Sequence, residues 1–210
     1  LLSITFTTEQ RGFAVGGNKL LKTSDGGESW HSESPSSILQ LTDIKFSDEN
    51  NGIIAAYYID WHYHQAAFLR TSDGGQTWES TFTGDYAWPV SLSYPDPDHA
   101  YVADQNGDIF KSTDGGKSWT RVYSGPYQQM LNGIFFTSPE TGFAVGNLES
   151  TGQILKTGDG GLNWAVVAEF NMAPLNGIWF TDSLHGFAVG DFGIIFKTGD
   201  GGITWSEQLP

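Results

Sequence analysis

The chain has 210 residues, of which 24 are Asp or Glu and 10 are Lys or Arg, so its formal net charge is −14 at pH 7. Nucleic acid binding needs Lys and Arg clustered at the phosphate backbone, so this acidic balance argues against a nucleic acid partner. The chain has no cysteine, which excludes disulfides, thiolate nucleophiles and Cys-ligated metals. The longest apolar stretch, residues 52–59, is too short to span a bilayer, so we expect no membrane insertion.

Four short strands are the first elements predicted along the chain. They are Ile4–Phe6, Phe13–Val15, Leu20–Thr23 and a strand that opens at Trp30. Each is rich in β-branched or aromatic residues, and Gly, Asn and Asp separate them, as is typical of strands joined by tight turns. Because no helical period of useful length appears, we expect an all-β protein.

The same order of strands recurs in four further units. Their opening strands read LTDIKF at 41–46, PVSLSY at 89–94, LNGIFF at 131–136 and LNGIWF at 175–180, and one nine-residue string occurs five times, as KTSDGGESW, RTSDGGQTW, KSTDGGKSW, KTGDGGLNW and KTGDGGITW. Four antiparallel strands in a unit of about 42 residues, repeated, are typical of a β-propeller. We predict a single five-bladed domain over 1–210, with four-stranded antiparallel blades at about 1–40, 41–88, 89–130, 131–174 and 175–210.

The nine-residue string is similar to the Asp box, or BNR repeat. Together with GFAVG at 12–16, 142–146 and 186–190, it resembles the photosystem II assembly and stability factor-like propellers. Asp boxes also occur in sialidases, other sugar-cleaving enzymes and sorting receptors, so the resemblance implies a fold more than an activity. It further implies a location outside the cytoplasm, in the periplasm, at the cell surface or secreted.

We predict a structural role for the Asp boxes themselves. Asp-Gly between two apolar strands favours a hairpin turn, because Gly adopts positive φ and the carboxylate accepts hydrogen bonds from backbone N–H groups. One box in each blade does not converge on a common site, as a ligand pocket would require. The residues predicted to form these turns are Asp25, Trp30, Asp73, Trp78, Asp114, Trp119, Asp159, Trp164, Asp200 and Trp205.

A binding face is predicted on the side of the blades where loop length varies. The second unit has gained about eight residues between its second and third strands, and loops on a rigid scaffold commonly carry function. Aromatic side chains concentrate on this side, and Tyr and Trp suit recognition of a protein or a glycan. The alternative is that they anchor the loops. The residues concerned are Tyr57, Tyr58, Trp61, Tyr63, Tyr86, Trp88, Tyr123 and Tyr127.

Two segments suggest metal binding. Asp60, His62 and His64 alternate, so in an extended strand they would share one side and could bind a metal, although no fourth ligand is apparent. Residues 104–108 have a faint likeness to a calcium loop, but Asn106-Gly107 favours a hairpin turn. We therefore expect no metal and no cofactor.

Catalysis has little support in the sequence. The three Arg residues, Arg11, Arg70 and Arg121, are scattered, whereas a sialidase groups three around its substrate. Asp43 is the single acid at the predicted inner-strand entries, and together with Thr42, Asn132 and Asn176 it is more simply expected to line a water-filled channel. We therefore favour a non-catalytic scaffold for a protein or glycan, on its own or within a larger complex or longer chain. The alternative is a carbohydrate-active hydrolase with loop-borne carboxylates, for which Asp60, Asp85 and Glu149 are the candidates.

Overall fold

The structure is a computed structural model, and it describes residues 1–59 and 64–208. These residues form five four-stranded antiparallel sheets, each with its strands in chain order. The strands are β1 (Ser3–Phe6), β2 (Gly12–Gly16), β3 (Lys19–Thr23), β4 (His31–Glu33), β5 (Leu39–Phe46), β6 (Gly52–Ile59), β7 (His64–Thr71), β8 (Glu79–Tyr86), β9 (Pro89–Ser93), β10 (Ala100–Asp104), β11 (Asp108–Ser112), β12 (Thr120–Ser124), β13 (Gln129–Phe136), β14 (Gly142–Leu148), β15 (Thr151–Thr157), β16 (Ala165–Phe170), β17 (Leu175–Phe180), β18 (Gly186–Gly190), β19 (Ile195–Thr198) and β20 (Ser206–Glu207).

This architecture confirms the all-β prediction with five four-stranded antiparallel blades. The one helical element of the described residues is a single 3-10 turn at Asp191–Gly193. None of these residues belongs to a helix long and apolar enough to cross a membrane.

The chain forms two compact units, residues 1–102 with 112–120, and residues 103–111 with 121–210. In the first unit, the core is built from inward-facing residues of β2, β3 and β5–β7, among them Phe13, Leu41 and Ile54. In the second unit, Phe143, Leu175 and other residues of β14, β15 and β17–β19 form a core of the same kind. Sheets packed through alternate apolar residues thus supply the hydrophobic stabilisation of each unit.

The Asp-box turns follow from their paired glycines. Gly26 and Gly27 have φ of 76° and 94°, which is the left-handed region that side chains disfavour. Consecutive left-handed residues reverse the chain between the third and fourth strands of the blade, so the sequence DGG determines where each hairpin turns.

The second blade differs from our prediction at its long connection. We expected the additional residues to form a loop, but β6 and β7 extend into this segment and are paired as far as Ile59 and His64. Tyr57 and Tyr58 therefore lie in a strand, where they pair with Ala66 and Gln65. The run of apolar and aromatic residues favours strand extension, because each added pair contributes another cross-strand contact.

Candidate functional site

The Asp-box carboxylates bond to their own turns. Asp25 accepts hydrogen bonds from the Ser29 amide at 3.0 Å, from the Ser29 hydroxyl at 2.5 Å and from the Thr23 hydroxyl at 2.6 Å. The other four boxes repeat this arrangement around Asp73, Asp114, Asp159 and Asp200. The carboxylate oxygens are thus occupied by the turn, which is the geometry that a structural role requires.

These hydrogen bonds stabilise the ionised carboxylates. The Thr204 hydroxyl and amide hold the pKa of Asp200 at about 2, below its ordinary value of 3.8. The Asn163 side chain and amide lower the pKa of Asp159 to about 2 in the same way. For Asp25, the Ser29 hydroxyl is the main cause of a pKa well below the usual range. Hydrogen bonds to the charged form lower a carboxyl pKa even without burial.

One element of the box was missed in the sequence analysis, the hydroxyl residue two positions before each Asp. Thr23 donates to Asp25 and accepts a hydrogen bond from the Gly27 amide at 3.0 Å, so it bridges both ends of the turn. Its counterparts are buried hydroxyls as well: Thr71, Ser112, Thr157 and Thr198. The signal was present, since Ser or Thr occupies this position in all five strings.

The box tryptophans contribute to packing inside the blades. Trp30, Trp119 and Trp164 each donate an indole N–H to the carbonyl of the second box glycine, at 3.1–3.2 Å. Four of the five lie edge-on to a phenylalanine of their own blade: Trp30 on Phe6, Trp78 on Phe46, Trp164 on Phe136 and Trp205 on Phe180. Edge-to-face aromatic contacts of this kind add stability beyond the area they bury.

Asp43, the single inner-strand acid, joins three blades of the first unit. We expected this position to line a water-filled channel, together with Thr42, Asn132 and Asn176. Asp43 is instead 7% exposed and accepts hydrogen bonds from the Ser3 hydroxyl of β1 at 2.5 Å and the Leu92 amide of β9 at 2.8 Å. Lys45 forms an ion pair with it at 2.9 Å. This buried carboxylate stabilises the blade junction, because the buried Leu92 amide would otherwise lose its acceptor.

An aromatic cluster lies at the far end of the second blade. The His64 ring centroid is 5.0 Å from Trp88, 5.8 Å from Tyr57 and 5.9 Å from Tyr86. Tyr86 is 54% exposed, whereas Tyr57, Tyr58 and Trp88 are half-buried. This part of the predicted binding face is therefore largely a packed cluster with Tyr86 at its surface.

The rest of that prediction lies outside the described residues. Trp61 and Tyr63 of the binding face, and Asp60 and His62 of the metal hypothesis, belong to residues 60–63. His64 packs against aromatic rings, as described above. Within 1–59 and 64–208, no three His, Asp or Glu side chains lie together as a metal site would need.

A cleft in the second unit contains Tyr127, the most exposed aromatic among the described residues of the predicted binding face. Its volume is about 560 Å³. Tyr127 is 91% exposed, and the backbone at Gln128 and Glu149 has positive φ, of 68° and 54°. The lining consists of five amides, Gly, Pro, one aromatic ring, one thioether and one carboxylate: Gln105, Asn106, Gly125, Pro126, Tyr127, Gln128, Gln129, Met130, Asn147 and Glu149.

A buried polar chain supports the floor of this cleft. The Tyr123 hydroxyl donates to Gln129 at 3.0 Å, Gln129 donates to Gln153 at 2.8 Å, and Gln153 donates to the Glu169 carboxylate at 2.7 Å. Gln129 and Gln153 are both buried, and burial raises the pKa of Tyr123 despite its hydrogen bond to Gln129. Because each buried amide has a partner, this series of hydrogen bonds fixes the strands β12, β13, β15 and β16 relative to one another.

The loop that carries Tyr127 packs against these hydrogen-bonded residues. The Gly125 amide donates to the Gly107 carbonyl at 2.9 Å, and the Gln129 amide donates to the Pro126 carbonyl at 3.0 Å. A Cβ at Gly125 would collide with the Gln129 side chain. The wall of the cleft is therefore set by close backbone packing.

Sequence reasoning missed Gln129, although a signal was available. In the repeat, its counterparts two residues before the opening strands are Leu39, Ala87 and Ala173, which are all buried and apolar. An amide at a position that is otherwise apolar needs a buried partner. Gln153, which supplies that partner, is 24 residues away and could not be paired with it from the sequence alone.

The charged candidates for catalysis are dispersed. Arg11, Arg70 and Arg121 pair with Glu49, Glu79 and Asp108, respectively. Of the loop-borne carboxylates, Asp85 lies in β8 of the first unit and Glu149 lines the cleft of the second. Among the residues lining that cleft, Glu149 is the one carboxylate.

Five Asp-box blades define this chain as a BNR-type β-propeller, in agreement with the resemblance inferred from the repeat. A family model described as photosynthesis system II assembly factor YCF48 matches residues 34–169, more than half of the chain. The chain therefore belongs to the YCF48 family. A search of curated proteins found no match.

Solved structures of low sequence identity share the fold. A structure of YCF48 bound to D1 peptide is 17% identical, with a TM-score of 0.51, and the match covers 98% of this chain and 79% of that one. A GH74 enzyme of Niastella koreensis is 15% identical, with a TM-score of 0.74, over 99% of this chain and 37% of that one. The GH74 xyloglucanase of Xanthomonas campestris is 11% identical, with a TM-score of 0.68, over 99% of this chain and 37% of that one. These likenesses confirm the propeller fold class.

Proposed function

We propose that the chain is a non-catalytic propeller scaffold that binds an extended peptide segment of a protein partner in the cleft beside Tyr127. The observation that carries this proposal is the combination of an exposed Tyr at the rim with a rigid, amide-lined floor. A YCF48 structure with bound D1 peptide supports peptide recognition by this family. A location outside the cytoplasm is part of the same proposal, on family resemblance.

The chemistry of the cleft suits a peptide. Amide side chains such as those of Asn106, Gln128 and Asn147 both donate and accept hydrogen bonds, as a peptide backbone requires. Tyr127 supplies a large apolar surface with few rotatable bonds, so ordering it on binding costs little conformational entropy. Met130 and Pro126 add apolar contact area at the same wall.

Charge favours a neutral or basic segment. Glu149 is the charged residue of the lining, and the whole chain carries a net charge of −14. Several cations are engaged in the scaffold itself: Lys111 and Lys156 donate to backbone carbonyls, and Arg121 pairs with Asp108. An acidic surface attracts partners of opposite charge and repels acidic ones.

Hydrolysis finds less support at this site. Glycoside hydrolases divide the acid and base roles between two carboxylates that flank the scissile bond. Glu149 stands without a second carboxylate among the residues lining the cleft, and Asp43 is occupied by the blade junction. A single carboxylate suits recognition of a cation better than bond cleavage.

Titration of the chain with a fluorescently labelled D1 peptide tests the proposal. We expect saturable binding that Tyr127→Ala weakens by about tenfold or more, the loss expected when a recognition aromatic is truncated. Phe192→Ala is the matched control, because Phe192 is 93% exposed in the same unit and does not line the cleft. Equal effects of the two substitutions, or no binding by the wild-type chain, would contradict the proposal.

A glycan-directed function is the alternative outcome. Incubation with xyloglucan and other oligosaccharides, followed by measurement of released reducing ends, separates the two classes of function. Turnover that Asp43→Asn or Glu149→Gln abolishes would favour the hydrolase, whereas saturable glycan binding without turnover would leave a scaffold with a different ligand.

A further inference from the structure

The hydrogen bonds beneath the cleft form one continuous series that ends at a carboxylate. The series begins at Tyr123 of β12 and passes to Gln129 of β13. It continues to Gln153 of β15 and ends at Glu169 of β16, which is paired with Gln153 across the two strands. All four residues belong to the second unit. The series therefore links Gln129, which lines the cleft, to a carboxylate in the last strand of the fourth blade that does not line it.

A glycine in β14 makes room for this series. Gly146 is paired with Leu131 of β13 and with Gln153 of β15, so these three residues face the same side of the sheet. Gln129 lies two residues before Leu131 and faces that side as well. A side chain at Gly146 would collide with the backbone of Met130. Because no side chain stands between them, the two buried amides meet across β14 at 2.8 Å.

The carboxylate determines the direction of these hydrogen bonds. An ionised carboxylate only accepts hydrogen bonds, whereas a hydroxyl and a primary amide both donate and accept. Glu169 therefore requires Gln153 to turn its NH2 group towards β16 and its carbonyl oxygen towards Gln129. Gln129 must then direct its own NH2 group to Gln153, which leaves its carbonyl oxygen for the Tyr123 hydroxyl. The donors and acceptors in the structure are those that the carboxylate requires.

This direction decides which group of Gln129 lies at the wall of the cleft. The carbonyl oxygen of Gln129 lies against Gly125, so close that a Cβ at Gly125 would collide with it. Both residues line the cleft, next to Pro126 and Tyr127. In the opposite orientation, an NH2 group would lie against Gly125 in place of the oxygen. The wall would then hold a hydrogen-bond donor where it now holds an acceptor.

We propose that Glu169 is a positioning residue for the cleft, whose carboxylate fixes the orientation of the Gln129 amide without touching the ligand. The effect on binding rests on the proposed function, whereas the orientation of Gln129 is a property of the free chain. When a ligand requires one of two orientations, its apparent dissociation constant rises as the population of that orientation falls. A residue 169 with no preference would halve this population, and a donor-only residue there would deplete it.

NMR of the side-chain amides in the free chain tests the orientation directly. In the wild type, we expect the NH2 protons of Gln129 to show nuclear Overhauser contacts with Gln153. Glu169→Lys places a donor-only ammonium at the end of the series, so it should reverse every hydrogen bond in it. The same protons should then show contacts with Gly125 and Tyr123.

A second substitution should restore the wild-type orientation. Adding Gln153→Glu to Glu169→Lys places an acceptor-only carboxylate beside Gln129, with the new ammonium as its charged partner. The NH2 group of Gln129 should then turn back towards position 153. A merely structural role of Glu169 would not be rescued by a further charge inside the blade, because a buried charge is costly unless its partners require it.

Binding of the labelled D1 peptide measures the consequence for the cleft. Glu169→Gln leaves a terminal amide that can donate or accept, so we expect about twofold weaker binding. Glu169→Lys should weaken binding by about tenfold or more, and the added Gln153→Glu should restore it. Glu140→Lys is the matched control with the same change of charge, because Glu140 is exposed in the same blade and bonds to Ser138 outside the series.

The two measurements separate this proposal from the proposed function. Unchanged contacts of Gln129 in Glu169→Lys, or no rescue by Gln153→Glu, would overturn the positioning role. So would reversed contacts with an unchanged affinity for a peptide that the wild type binds. If Glu169→Lys does not fold, the nearly isosteric Glu169→Gln decides, since both sets of contacts should appear in it. If the wild type binds no peptide, the proposed function fails, and the contacts in the free chain still decide the role of Glu169.

Discussion

The third Asp box allows a direct test of whether the Asp carboxylate stabilises the turn. Asp114→Ala removes a carboxylate that accepts hydrogen bonds from the Ser118 amide at 2.9 Å, the Ser118 hydroxyl at 2.6 Å and the Ser112 hydroxyl at 2.9 Å. The substitution leaves the two glycines of the turn in place. Any loss of stability therefore reports on the carboxylate and its donors.

The expected magnitude follows from the burial of those donors. Ser118 is exposed, so water replaces its lost partner and the cost is small. Ser112 is 1% exposed, so its hydroxyl loses an acceptor that water cannot replace, although it still accepts a hydrogen bond from the Gly116 amide. A buried donor left unsatisfied costs about 1–3 kcal/mol, so we expect a loss of about 1–2 kcal/mol in the free energy of unfolding.

Urea unfolding followed by tryptophan fluorescence measures this loss. The midpoint should fall while the m-value stays unchanged, and the melting temperature should fall by roughly 2–8 °C. Thr113→Ala is the matched control, because Thr113 is exposed in the same turn. If Asp114→Ala and Thr113→Ala have the same urea midpoint, the carboxylate does not stabilise the turn. Binding of the labelled D1 peptide should be the same in both variants, because neither residue lines the cleft.

Two further predictions concern the Asp boxes. Gly202→Ala should destabilise the chain by more than about 2 kcal/mol, because Gly202 has a φ of 76° and a Cβ there would collide with Phe143. The control Gly158→Ala should leave stability unchanged, because the space around its Cβ is open. Equal urea midpoints for the two variants would contradict the packing argument. The second prediction is acid sensitivity. The pKa of Asp200 is about 2 in the folded chain against an ordinary 3.8, so the ionised carboxylate stabilises the folded chain fully above the ordinary pKa. This stabilisation is lost as the pH falls towards 2. The melting temperature should therefore fall less steeply on acidification in Asp200→Asn than in the wild type, and identical slopes would refute the assignment.

The fold was predictable because its determinants are local and repeated. The sequence DGG at Asp25, Gly26 and Gly27 defines a turn by backbone conformation alone, and five copies determine the blade count. The length of the β6–β7 hairpin was not predictable in the same way. Whether residues such as Tyr57 extend a strand or form a loop depends on cross-strand partners, here Ala66, that a single strand does not reveal.

The candidate cleft could be predicted only in part. Tyr127 was identified from its residue type and its position beyond the fourth strand of the third blade. The floor was not, because Gln129, Gln153 and Glu169 meet through pairing of different strands. Asp43 shows the same limit: its residue type suggested a channel or a catalytic acid, and its hydrogen bonds from Ser3 and Leu92 instead place it at a blade junction.

The repeat supports the proposed site at the cleft over a site at the Asp boxes. A residue copied in every blade is used five times, and Asp25 and its counterparts accordingly serve the same turn in each copy. A single site needs residues that break the repeat. Gln153 is such a residue, because its position varies from blade to blade: the residues three before the opening Lys or Arg of the other four strings are Lys19, Ala67, Asp108 and Ile194. Its hydrogen bond from Gln129 therefore occurs in one blade alone among the described residues, and such an asymmetric feature can bind one partner at one place.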